Sequence, residues 1–191
     1  MVEALNPPSE RPDVGQPTKV RLTQWTKDRL RCTLSSLGPG GKDHVLGRLV
    51  VNRRGQNKSF WVPFQVLNMF GPILELAPRP VRVGARWPLH VHLVQQRLPL
   101  TVKSSHRANQ VTLVSFDAKT GEATLEYLLS EEVVGPKTPF EDQGSGLATH
   151  MVGRGVFSTR KGTWSWLELR LVVAQGGRSQ EAVLRVMPLA K

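Results

Sequence analysis

The sequence predicts an all-β protein, and three observations lead to this fold class. From residue 19 onward, short apolar or alternating runs follow one another, and Gly, Pro, Asn and Asp interrupt them roughly every ten residues. Glycines stand where hairpin turns need a positive φ, as at Gly121, Gly162 and the pair Gly176-Gly177. This punctuation leaves no room for three-turn helices. We therefore expect an antiparallel β-sandwich or a partly open barrel of about ten strands.

Eleven runs have the length and pattern of strands. In chain order they cover residues 20–25, 29–35, 44–53, 58–66, 86–95, 98–104, 110–117, 122–130, 151–159, 163–174 and 180–187. Two intervening segments lack this pattern. Residues 66–80 hold enough apolar side chains for one helical turn or a buried crossover. Residues 133–149, rich in Gly, Pro and acidic side chains, have the composition of a mobile loop.

Length and composition indicate one domain preceded by an arm. The 191 residues are enough for one well-packed core and short for two. Residues 1–18 hold four prolines and three acidic side chains, so we expect a flexible arm there and a single all-β domain over residues 19–191. No apolar run has the length of a signal peptide or of a membrane span, which favours a cytoplasmic location over export.

The chain is strongly basic. It has 26 Lys and Arg against 15 Asp and Glu, for a formal net charge of +11. Such a charge favours anionic partners, for example nucleic acid, acidic polymers or lipid headgroups. The cations are dispersed, so the alternative interpretation is an ordinary solvated surface. The closest groupings are Arg29 with Arg31, Arg53 with Arg54, and Arg160 with Lys161.

Cys32 is the only cysteine, so the chain has no disulfide of its own. It alternates with Leu30 and Leu34 on a predicted strand. A small buried apolar side chain fits this pattern better than a nucleophile does.

Strict alternation assigns the faces of the strand predicted over residues 163–174. The residues expected to face the core are Leu167, Leu169, Leu171 and Val173. Trp164 and Trp166 then turn to the opposite face, beside Arg170. A bulge near Ser165 would instead change the register and bury one of the two tryptophans.

The two tryptophans and the cations near them form a candidate binding site. Trp164 and Trp166, with Arg170 on the same face and Arg160 and Lys161 in the preceding turn, would make a stacking platform flanked by positive charge. Such platforms bind single-stranded nucleic acid, carbohydrate or peptide segments. The alternative is that both tryptophans lie in the core, because large aromatic side chains are mostly buried.

A second candidate site consists of two histidines. Alternation over residues 86–95 places His90 and His92 on the same face, where two imidazoles could hold a zinc or copper ion. The other three histidines have no matching spacing, and a structural zinc site needs four ligands. The alternative is a pair of exposed polar side chains. No other pattern matches a catalytic or cofactor signature, so no cofactor is expected.

Three motifs in the second half resemble those of a known group of proteins. They are PRPVRVGARW at residues 78–87, SFDAKTGEATL at residues 115–125, and GRGVF at residues 153–157 followed by a Lys-Gly turn at residues 161–162. Over residues 78–173 the chain resembles uncharacterised bacterial β-sandwich proteins, which are often exported. The resemblance implies a β-sandwich fold and supplies no catalytic residues, because none is known in that group.

These observations favour a non-enzymatic binding or assembly module with a basic surface for a protein or an anionic polymer. The first alternative is a nucleic-acid-binding β-barrel protein, in which cations contact phosphates and tryptophans stack on bases. The second is a metal-dependent enzyme built around His90 and His92. Neither the identity of the ligand nor the oligomeric state follows from the sequence.

Overall fold

The computed structural model describes residues 2–3, 17–37, 42–56, 71–91, 93, 103–134 and 146–188. These residues form ten strands. The strands are β1 (Val2–Glu3), β2 (Pro17–Thr26), β3 (Arg29–Leu37), β4 (Asp43–Asn52), β5 (Arg86–Trp87), β6 (Lys103–Asp117), β7 (Glu122–Val134), β8 (Gly146–Ser158), β9 (Thr163–Gln175) and β10 (Arg178–Val186). Among the described residues, helix is limited to one turn at residues 71–74.

The strands follow one hydrogen-bonded order, β4-β3-β2-β1-β10-β9-β8-β7-β6-β5, and every pair is antiparallel. The predicted all-β, antiparallel fold class is confirmed. Two meanders make up this order. The first group contains β2–β4 and the second contains β5–β10, and the two residues of β1 join them.

Parts of the predicted arm are strand. Val2 lies between Thr18 of β2 and Val186 of β10. The two residues of β1 therefore satisfy backbone groups at one end of β2 and at one end of β10. Residues 4–16 lie outside the described residues.

Several predicted strands have different bounds in the structure. The run at residues 98–104 is not a separate strand over its described part, because β6 begins at Lys103 and continues without interruption to Asp117. The predicted loop at residues 133–149 is strand at both ends, since β7 extends to Val134 and β8 begins at Gly146. Residues 58–66 and 135–145 are outside the described residues. The hairpin glycines Gly121, Gly162, Gly176 and Gly177 have positive φ, as expected.

Over its described residues, 86–91 and 93, the strand predicted at residues 86–95 is strand only at Arg86–Trp87. Its predicted face is nevertheless correct, because Trp87, Leu89 and Val91 are buried. Pro88 has no N–H to donate to a ladder. Beyond it, side chains of the neighbouring strands bind the backbone instead, in a pattern centred on Asn109.

The amide of Asn109 in β6 accepts a hydrogen bond from Leu89 N at 2.9 Å and donates one to Leu89 O at 2.6 Å. Arg107, also in β6, donates to Val91 O at 2.9 Å. Glu131 of β7 accepts from Leu93 N at 2.8 Å. These side chains bind the backbone of residues 89, 91 and 93 beyond the end of β5, where the described residues form no strand ladder.

Both strand groups contribute to one core. Its members come from β3 and β4, from residues 73–91, and from β6–β10. They are Cys32, Leu49, Val51, Ile73, Trp87, Leu89, Val91, Val111, Leu113, Ala123, Tyr127, Leu129, Met151, Trp164, Leu167, Leu169, Leu184 and Val186. Because the inner faces of the two groups share this core, their outer faces point away from it on different sides of the molecule.

The reactivity of the Cys32 thiol reports whether the inner face of the first group is buried. Its side chain is fully buried, and burial raises the pKa of the thiol from its ordinary value of 9.0 to about 12. We expect iodoacetamide to leave Cys32 unmodified in the folded protein at pH 9.0 and to modify it after denaturation. Stability contributed by the protonated thiol is present below pH 9.0 and is lost as the pH rises through about 12. Rapid alkylation of the folded protein, measured by mass spectrometry, would contradict this burial.

Candidate binding faces

The two tryptophans of the predicted platform lie on opposite faces of β9. The register between β8 and β9 pairs Val156 with Trp166 and Phe157 with Trp164, so Ser165 is an extra residue on β9. This is the bulge that strict alternation does not show. Trp164 is 5% exposed and lies in the core. Trp166 is 42% exposed on the outer face.

Trp164 is held in the core by specific contacts. Its indole Nε1–H donates to the carbonyl of Ile73 at 2.9 Å. Its ring lies edge-on to Phe157, with centroids 5.3 Å apart, and 6.3 Å from the ring of Tyr127. Gly155 makes room for it, because a Cβ there would lie 2.9 Å from Cζ3 of Trp164. A paired donor and complementary packing make burial of this indole favourable.

The cations of the predicted site are not gathered around the tryptophans. Arg170 is on the same face as Trp166 but forms a bidentate pair with Glu181. The pair lowers the pKa of Glu181 and raises that of Arg170, mainly through their hydrogen bond. Arg160 bends over the β6–β7 turn and donates to Ala118 O at 3.3 Å. The two indoles therefore do not form the predicted stacking platform flanked by positive charge, and the alternative that places a tryptophan in the core holds for Trp164.

Lys161 is exposed at the tip of the β8–β9 hairpin. Its backbone N–H donates to the hydroxyl of Ser158 at 3.3 Å, which fixes the turn and leaves the ammonium group in solvent. Of the five residues in the predicted site, Trp166 is the one that keeps an exposed apolar surface.

Positive charge is concentrated in the first group instead. Residues 17–56 contain nine Lys and Arg and two Asp, whereas residues 103–134 and 146–188 together contain nine Lys and Arg and seven Asp and Glu. The first group therefore carries a net +7 of the total of +11. Charges that are dispersed along the chain are unevenly distributed in the folded protein.

Three of these arginines form what we call the basic face: Arg29, Arg31 and Arg48. Cys32 and Leu49 point into the core, so the alternate positions on β3 and β4 point outward. All three arginines are exposed. The register pairs Thr33 with Arg48 and Arg31 with Val50, so Arg31 and Arg48 are diagonal neighbours on adjacent strands. None of the outward positions in residues 29–33 and 48–52 is acidic.

His90 is held by a buried carboxyl group. Its Nδ1 lies 2.6 Å from Oε1 of Glu75, and its backbone N–H donates to Oε2 at 2.7 Å. Gln56 donates to Oε1 of the same carboxyl group at 3.1 Å. With Nδ1 directed at Glu75, Nε2 is the nitrogen of His90 that remains for a metal or a proton. His92 is outside the described residues, and the described residues contain no group of three or more His, Cys, Asp or Glu side chains able to hold a metal ion.

Two further features lie on the second group of strands. A shallow cavity of about 300 Å³ lies at the ends of β7, β8 and β9, and Glu132 is the only charged residue among the described residues that line it. His150 lies 2.8 Å from the hydroxyl of Ser130, but this pair is a cross-strand contact on the sheet. In the described part of the chain, no helix is long and apolar enough to cross a membrane.

Comparison with protein-family models, with curated proteins and with solved structures finds no match. The resemblance of residues 78–173 to bacterial β-sandwich proteins stays a prediction.

The two tryptophans should respond differently to truncation. We expect Trp164→Ala to lower the free energy of unfolding by about 3–5 kcal/mol, because it leaves a cavity and an unpaired carbonyl in the core. Trp166→Ala should change it by no more than about 0.5 kcal/mol. Urea denaturation of both variants measures these effects. Equal losses in the two variants would contradict the bulge at Ser165.

The hydrogen bonds to Glu75 should contribute to stability. Glu75→Ala leaves the backbone N–H of His90 and the amide of Gln56 without their acceptor, so we expect a loss of about 1–3 kcal/mol or more. The matched control is Glu122→Ala, at an exposed position of β7, which should change the free energy of unfolding by no more than about 0.5 kcal/mol. A stability unaffected by Glu75→Ala would show that the Glu75–His90 contact does not hold residues 75–90 in place.

Proposed function

We propose that the protein is a non-enzymatic binding module that holds an anionic polymer on the basic face. The observation that carries this proposal is the outward set Arg29, Arg31 and Arg48 on a strand group with a net charge of +7. Residues two apart on a strand are about 7 Å apart, and neighbouring strands are about 5 Å apart. Several guanidinium groups at this spacing suit a ligand with repeated anionic groups better than a single small anion.

The chemistry of the basic face favours contacts to phosphate or sulfate groups. The other outward positions of residues 29–33 and 48–52 are Thr33, Val50 and Asn52, which include no aromatic ring for base stacking. Trp166, the exposed indole of the predicted platform, is on the second group and turns away from the core on another side. Recognition by charge and hydrogen bonding therefore fits this face better than recognition of unstacked bases does.

The nucleic-acid alternative becomes a special case of this proposal. A nucleic acid would bind to the basic face through its phosphates, with an affinity that falls steeply with salt and depends little on base sequence. A sulfated polysaccharide offers the same chemistry. Binding measurements with a DNA duplex and with heparin distinguish these two ligands.

A metal-dependent activity is the second candidate, and the Glu75–His90 contact is the observation that favours it. A carboxyl group on Nδ1 is the usual partner of a histidine that binds metal through Nε2. Metal analysis of the purified protein tests it. A stoichiometric transition metal that is lost in His90→Ala would support this candidate, and a metal-free protein that does not take up zinc would exclude it.

Charge reversal tests the proposed function. We expect Arg31→Glu combined with Arg48→Glu to weaken binding to a labelled heparin oligosaccharide or DNA duplex by about tenfold or more at moderate salt. For DNA, the slope of log affinity against log salt should fall by about two, since each lost phosphate contact removes about 0.9. Fluorescence anisotropy over a salt series measures both quantities.

The matched control is Arg79→Glu combined with Arg82→Glu. These arginines are also exposed and the net charge changes by the same amount, but they lie outside the basic face. Equal weakening by both double variants would show that only net charge matters. Wild-type protein that binds neither polymer at low salt would overturn the proposal.

A further inference from the structure

The outer face of β7–β10 carries a cluster of exposed apolar side chains, and we call it the neutral face. Leu128 pairs with Val152, Val152 with Arg170, and Arg170 with Val183, so these four residues form one row across the four strands. Leu128, Val152 and Val183 are 37–49% exposed. Exposed apolar side chains that adjoin one another mark an interaction surface more often than isolated ones do.

A second apolar row lies on the far side of one charged row. Val156 pairs with Trp166, and Met187 directly follows the last residue of β10. Trp166 and Met187 are 42% and 45% exposed. Apart from Arg170, the two rows place aliphatic, sulfur-containing and aromatic groups on one side of the sheet.

Six charged residues in the middle of the neutral face cancel one another in three ion pairs, Arg154 with Glu126, Arg185 with Glu168, and Arg170 with Glu181. The remaining acidic residues that alternation places on this face, Glu122 and Glu132, lie at the two ends of β7. In a protein with a net charge of +11, this sheet face therefore has no excess of positive charge. Two copies repel each other least when these faces meet.

One charged row has a symmetry of its own. Glu126, Arg154, Glu168 and Arg185 are cross-strand neighbours on β7, β8, β9 and β10. Their charges alternate in the order negative, positive, negative, positive. Reversing the row exchanges every sign, so the row is complementary to a reversed copy of itself.

We propose that the neutral face is the interface of a homodimer. A two-fold axis that runs parallel to the strands, between β8 and β9, reverses each row and brings two neutral faces together. Arg154 then opposes Glu168 of the second copy, and Leu128 opposes its Val183. Such an isologous interface is the commonest arrangement in symmetric oligomers.

In the dimer, Trp166 of each copy lies against Val156 of the other. Apolar side chains from two facing sheets fill the space of about 10 Å between them. The two basic faces then point outward, which would let one dimer hold two segments of a polymer. The interface itself uses no residue of the basic face, so it does not depend on the proposed function.

Sedimentation velocity over a wide concentration range tests the dimer. We expect wild-type protein to dimerise and Val152→Lys to weaken dimerisation by about 30-fold or more, because the axis places position 152 opposite Arg170 of the second copy and the lysine adds a like charge there. The matched control is Val45→Lys, at an exposed valine of β4, which should leave the dimer intact. Thermal unfolding checks that both variants are folded.

A charge exchange tests the two-fold axis. Arg154→Glu places two like charges opposite each other twice and should dissociate the dimer. Adding Glu168→Arg restores opposite charges across the interface, although it leaves like charges side by side within each copy, and should recover dimerisation at least in part.

A wild-type protein that is monomeric at all concentrations would overturn the proposal and leave the neutral face to a different partner. A dimer that persists in Val152→Lys would place the interface elsewhere. A dimer that Arg154→Glu dissociates but the double variant does not recover would contradict the proposed axis.

Discussion

Residues 72–76 form hydrogen bonds to both groups of strands. On one side, backbone carbonyls of this segment accept hydrogen bonds from the hydroxyl of Tyr127 at 3.0 Å and from the indole N–H of Trp164 at 2.9 Å. On the other side the backbone of Leu76 donates to the carbonyl of Arg54 at 2.8 Å. Burying any one of these polar groups without a hydrogen-bond partner would lower the free energy of unfolding by about 1–3 kcal/mol. The segment therefore determines how the two groups meet, and with that the directions of the basic and neutral faces.

Local patterns predicted much of the fold, and long-range contacts determined the rest. The hairpins follow from glycine spacing, and the burial of Trp87, Leu89 and Val91 follows from alternation. The bulge at Ser165 was one of two alternatives that the sequence left open, because a tryptophan is compatible with either face of a strand. The choice depends on Gly155 of the neighbouring strand and on a carbonyl in residues 72–76. Likewise, nothing near residues 88–93 indicates that Asn109 would bind their backbone.

The candidate sites were predicted less well than the fold. The cations had no visible cluster in the sequence, because alternation along β3 and β4 separates the outward arginines from one another by core residues. Pairing between strands then brings Arg31 and Arg48 together, a relationship that depends on register. The same register sorts the charges of β7–β10 into neutral pairs. Residues 17–56 already have a net charge of +7 in the sequence, whereas the placement of Arg31 beside Arg48 on one face and the pairing of charges across β7–β10 depend on the folded sheet.

Both strand groups share one core, and the cooperativity of their unfolding tests this arrangement most directly. Cys32 reports on the first group through pulsed thiol labelling, and the indole Nε1–H resonance of Trp164 reports on the second. A shared core predicts one transition with the same urea midpoint for both probes. If Cys32 became reactive at a lower urea concentration than that at which the Trp164 resonance is lost, the two groups would unfold independently. That result would contradict a shared core.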